Sequence, residues 1–141
     1  MLIKKDDNSK NSLVSQLTKI NQHLEGRGYR LGEIFLFLRI MNIDIVFRFL
    51  TGDTMCCFDC ELMPKLQHIR VAGKNFADFE IPSHLRALWR YMGQMYNLDA
   101  FTVSCPADQD ILSHYKMQQG TKMSRREELE TPTFTNDVPS V

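Results

Sequence analysis

The sequence predicts an all-α fold, a small bundle of helices ending in a disordered tail, on three observations. Apolar side chains recur at helical spacing in three separate stretches: Leu13, Leu17, Ile20 and Leu24; Phe58, Leu62, Leu66 and Ile69; and Leu85, Leu88, Trp89, Met92, Met95 and Tyr96. Residues 49–70 read in succession as a turn at Gly52-Asp53, a helix start and a core helix, which makes this stretch the one the rest is organised around. From Thr121 the chain becomes polar and charged, with Pro132, Pro139 and scattered Thr and Ser, too poor in apolar surface to offset the entropy of ordering. With 141 residues, 43% of them hydrophobic and 24% charged, the chain can bury one core and hardly two. A helical domain is therefore expected over residues 1–120 and a tail over 121–141.

The first helix has Asn11 or Ser12 as cap and Gly26 as stop. Residues 28–47 form an apolar insertion that fails as a membrane span. Glu33, Arg39, Asp44 and Arg48 interrupt it, and a charge at the centre of a span costs roughly 2.5 to 3.5 kcal/mol on insertion scales. Its halves read differently, residues 33–41 suiting a short helix while Ile43-Asp44-Ile45 alternates like a strand, and its structure stays open.

The central helix is expected to begin at Cys56. With Cys56 as cap, Asp59 is the third helical residue, so its carboxylate can return to the orphan N–H at the helix start and oppose the helix dipole. This is half of a capping box, because a thiol stands where Ser or Thr would cap the third N–H, and Thr54 is a rival cap. Cys56 and Asp59 are thus expected to serve structure. Met63 broadens the apolar stripe, Glu61, Lys65 and Arg70 take the polar side, and Pro64 bends the helix without ending it. Gly73, within 71–75, marks the end, and Phe76, Phe79 and Ile81 are loop hydrophobes packed on the core.

Pro82 suits the first turn of the next helix, in which Gly93 costs about 1 kcal/mol against Ala. Asp99 to Thr102 forms a short turn. Ser104 or Cys105 then caps a last helix, with Pro106 in its first turn, Asp108 and Asp110 at its positive end, and Ile111, Leu112 and Tyr115 as anchors.

Catalytic, cofactor and metal residues are not predicted. The four cysteines are Cys56, Cys57, Cys60 and Cys105. Cys57 and Cys60 have C-x-x-C spacing at a helix start, where a thiol's pKa falls, yet they would lie in one helix without the strand of a redox unit or the paired turns of a zinc site. His23, His68, His84 and His114 are dispersed, with no partner at a fixed offset. Trp89, Tyr91, Met92, Met95 and Tyr96 could line a ligand groove, but their spacing is what any buried helix needs. Zero formal charge gives no footprint for nucleic acid. The start, MLIKKDDNSKNS, is too short in apolar residues for a secretory signal, which places the protein in the cytoplasm.

Several runs together resemble the C-terminal domain of the chloride intracellular channel family, which shares the glutathione transferase fold, in its invertebrate wording. They are Cys60-Glu61-Leu62-Met63-Pro64-Lys65-Leu66, Phe79-Glu80-Ile81-Pro82, Leu88-Trp89-Arg90-Tyr91, Ala100-Phe101, Ser104-Cys105-Pro106-Ala107-Asp108-Gln109-Asp110-Ile111 and His114-Tyr115-Lys116. The likeness covers residues 48–119, with a weaker match before Leu24, and departs from the family at 28–47. It implies a chain that begins late, without the family's N-terminal thioredoxin-like domain and the first helical segment of the second. That domain, which carries the family's thiol, is the implied partner, together with a membrane. Anion conduction is the implied activity of the whole protein, with this part inactive alone. A fragment of a glutathione-dependent enzyme and an adaptor module are the alternatives.

Overall fold

A computed structural model describes residues 7–27, 48–121 and 131–139, so the insertion at 28–47 lies outside the described residues. Among the described residues five α-helices follow in order: α1 (Asp7–Gln22), α2 (Cys57–Ala77), α3 (Arg86–Tyr96), α4 (Asp99–Ser104) and α5 (Asp108–Gln118), with a π-type turn at His23–Arg27 after α1. Among the described residues the only β feature is an isolated bridge between Phe49 and Gly52. That tight turn needs Gly52, whose φ of 137° few side chains tolerate.

The centre is α3. Ala87, Leu88, Trp89, Tyr91, Met92, Met95 and Tyr96 are all buried, so this helix is apolar on nearly every side and belongs inside. α1, α4 and the π turn pack against it, while α2 packs along α5. The main core joins Leu17 and Leu24 to Met63, Leu66, Phe79, Ile81 and the α3 residues. A second cluster of Val71, Ala72 and Ile111, flanked by Phe76, Leu112 and Tyr115, holds α5 to α2. Leu85 precedes α3 without a side-chain cap. Buried Asn21 of α1 replaces it, accepting the Leu88 N–H at 3.0 Å in the first turn.

Several boundaries and faces differ from the sequence reading. α1 is already helical at Asp7, so Asn11 and Ser12 are interior, and a π turn rather than a stop at Gly26 follows it. In α2 the buried line is Asp59, Met63, Leu66 and Gln67, with Leu62 and Ile69 only partly buried, while Phe58 is 61% exposed. The face is turned by one residue because the Asp59 carboxylate must point inward to backbone amides. Arg70 is not on a solvated side, as its side chain is 12% exposed. α2 runs unbroken past Pro64 and past buried Gly73 to Ala77. Its end is set by Asp78 in the left-handed region (φ 48°, ψ 48°), where the N–H groups of Asp78 and Phe79 both donate to the Gly73 carbonyl.

Pro82 precedes α3 instead of opening it, and its carbonyl accepts from Leu85 N–H and Trp89 Nε1, each at 3.1 Å. Ala107, not Ser104 or Cys105, is the cap of α5, with Pro106 before it. Residues 131–139 correct the expected disordered tail: they lie extended against α2 and α5, held through main-chain and hydroxyl hydrogen bonds that a count of apolar residues cannot see.

Candidate functional site

Asp59 occupies the junction of the fold. Cys56 is extended (φ −125°, ψ 174°) and takes the Asp59 N–H on its carbonyl at 3.1 Å. The Asp59 carboxylate is fully buried. Its Oδ2 accepts the Cys56 N–H at 2.8 Å and its Oδ1 the Leu50 N–H at 3.0 Å, so one side chain satisfies a helix start and a turn nine residues away. From the other side a ring nitrogen of His23 lies 2.8 Å from the Leu50 carbonyl, which ties the π turn to the same point. Tyr91 arrives from α3. Burial, and next the Asp59 charge, push its ionisation far above the usual tyrosine range, and its buried hydroxyl has no hydrogen-bond partner of good geometry among the described residues.

The cysteines around this junction are free thiols. Cys57 and Cys60 are exposed and Cys56 and Cys105 half-buried; burial pushes the Cys105 thiol up, away from reactivity. Among the described residues no group of three or more His, Cys, Asp or Glu is arranged to hold a metal ion. Trp89, Tyr91, Met92, Met95 and Tyr96 are core residues and do not line an open groove as a set. Two of the histidines are not dispersed. His68 Nδ1 lies 3.2 Å from the Tyr115 hydroxyl and His114 packs edge-on to the same ring, because α2 and α5 run together. Burial, and next the nearby His114, hold the His68 pKa below its usual value.

A second constellation lies where residues 131–139 cross the helices. The Arg70 guanidinium stacks 5.1 Å from the Trp89 ring centroid and 5.7 Å from that of Tyr96, and donates to the Tyr96 hydroxyl at 3.1 Å. Tyr96 in turn donates to buried Gln67 at 2.6 Å. Arg70 pairs with Asp137 at 2.9 Å, and Asp108 accepts the Thr135 hydroxyl at 2.7 Å. Arg70, Trp89, Asp108, Thr135 and Asp137, with Pro82, border a groove of about 1000 Å³. The sequence reading missed Asn21 and Gln67 as buried polar residues and Arg70 as a largely covered one. The available signal was the alternation of Thr131, Thr133, Thr135 and Asp137, which marks an extended segment read on one side.

The chain matches a chloride intracellular channel protein of Drosophila melanogaster, Clic, at 63% identity over 139 residues, 99% of this chain and 46% of the relative. Nearly the whole chain is thus similar to part of a chloride intracellular channel protein. The family's EXC-4 protein of Caenorhabditis elegans is 47% identical over 92 residues, covering 65% of this chain and 32% of the relative. The crystal structure of the EXC-4 homologue superposes with a TM-score of 0.79 at 37% identity, over 98% of this chain and 45% of that one. No family model matches the chain. The chain spans half or less of the length of the curated relatives it matches, and its all-helical architecture is that of the family's C-terminal, glutathione-transferase-like part. The Asp59 junction and the Arg70 cluster therefore lie in a helical domain similar to that of chloride intracellular channel proteins.

Proposed function

We propose that this chain acts as the helical half of a chloride intracellular channel protein, a folded support for anion conductance that carries neither the pore nor thiol chemistry. The observation that carries this reading is a match along 99% of the chain to 46% of a relative named as a chloride intracellular channel. The described helices agree with a supporting part, since none is long and apolar enough to cross a membrane. On this reading Cys56 and Asp59 serve the fold and not a reaction, the chain is no enzyme, and it works in the cytoplasm, reaching a membrane through the longer protein. Its natural partner is a thioredoxin-like N-terminal domain. Calorimetric titration of the 141-residue chain with the separately prepared N-terminal half of the Drosophila relative tests this. Saturable binding is expected; no detectable heat at any temperature tried would overturn the pairing.

A further inference from the structure

Residues 131–139 touch the helices at alternate positions, as an extended peptide does in a receptor. The Gln109 side chain reads the backbone twice, donating to the Thr131 carbonyl and accepting the Thr133 N–H, both at 3.0 Å. The Asp108 N–H, an orphan donor at the start of α5, donates to the Thr133 carbonyl at 2.9 Å. The Asp108 carboxylate accepts the Thr135 N–H at 3.2 Å and its hydroxyl at 2.7 Å. Gln67 donates to the Thr135 carbonyl at 2.9 Å, and Arg70 closes the row on Asp137. Of the intervening side chains Phe134 is 52% exposed, whereas Val138, 37% exposed, rests beside Gly93 of α3.

The helix side of this contact is the permanent one. Asp108 is 8% exposed and Gln67 2% with the segment in place, so its departure takes hydrogen-bond partners from a carboxylate and an amide that both sit on helices. The segment itself is held chiefly by polar contacts and leaves Phe134 largely in solvent, which makes it exchangeable. We infer that the face formed by α2 and the start of α5 is a peptide-docking site, occupied here by the chain's own residues 131–139. It accepts in their place an extended segment of another polypeptide with hydroxyl residues at two alternate positions and a carboxylate residue two further on. The inference rests on this chain's own contacts and holds whether or not the domain supports conductance.

The test uses the full chain and a fluorescent synthetic peptide of residues 131–139, followed by anisotropy. Wild type should bind it weakly, because its own segment competes. The variant Thr135→Val with Asp137→Ala, which loosens that segment, should bind at least tenfold more tightly, and adding Asp108→Asn should abolish the gain. Asp137→Ala alone changes a side chain that is 83% exposed and keeps the fold, and it should show a smaller gain of several-fold. Equal affinity of wild type and Asp137→Ala, or binding indifferent to Asp108→Asn, overturns the inference.

Discussion

Replacing Asp59 by Ala should be among the most damaging single changes available in this chain. The substitution removes both acceptors of a fully buried carboxylate and strands two backbone N–H groups, those of Cys56 and Leu50. An unsatisfied buried donor costs about 1 to 3 kcal/mol and loss of a helix cap about 0.5 to 2 kcal/mol. Water entering the space left by the carboxylate recovers part of this, which leaves a net loss of about 3 kcal/mol. Domains of this kind hold about 5 to 15 kcal/mol in all. With a urea slope of about 2 kcal/mol per molar, the denaturation midpoint should fall by about 1.5 M. Asp59→Asn keeps one acceptor oxygen and should lose about half as much. Cys56→Ser, which supplies the hydroxyl that a cap normally uses, should raise the midpoint slightly. Urea denaturation followed by circular dichroism reads all three. A midpoint for Asp59→Ala within about 0.2 M of wild type would refute the assignment of Asp59 as the hydrogen-bonded junction of turn and helix.

Other consequences follow from the same contacts. His68 has a folded-state pKa held below its unfolded value, so the unfolded chain takes up the proton first: stability should be flat above about pH 6.5 and fall as pH drops below it. His68→Gln should flatten that acid limb in pH-dependent melting, with His114 and Tyr115, the groups facing it, left in place. Deleting residues 31–46 should leave helical content intact and raise solubility, because the His23 contact with Leu50 already brings the flanking segments together; unfolding on deletion would make the insertion part of the core. Gly93→Ala should be neutral or stabilising by up to about 1 kcal/mol, since the added Cβ meets only the Val138 side chain, at 3.3 Å, on the exchangeable segment; a loss of stability would show that this segment cannot shift.

Much of the fold could be read from local chemistry. Apolar spacing located the helices because each buries a stripe, and the pairing of Cys56 with Asp59 three residues on pointed to the α2 start because a short carboxylate can reach the N–H at that separation. What escaped were matters decided by distant residues. Gly73 fails to end α2 because the helix packs on past it, and Phe58 faces solvent because Asp59 takes the inward direction. Asn21 caps a helix 67 positions away, a relation that no local pattern encodes. The docking of 131–139 was hidden for a similar reason: its partners, Gln67, Arg70 and Asp108, lie on two helices and become a surface only when α2 and α5 pack. The family likeness was legible in short runs of residues, and it named the domain that the helical spacing alone left general.

The central claim is that this chain is a folded helical support and carries no conductance of its own. Purified 141-residue chain, shown to be helical by circular dichroism, is added to a planar lipid bilayer under a chloride gradient and current is recorded at fixed voltage. The account predicts a baseline indistinguishable from buffer; reproducible anion-selective unitary currents that scale with the amount of folded chain would contradict it.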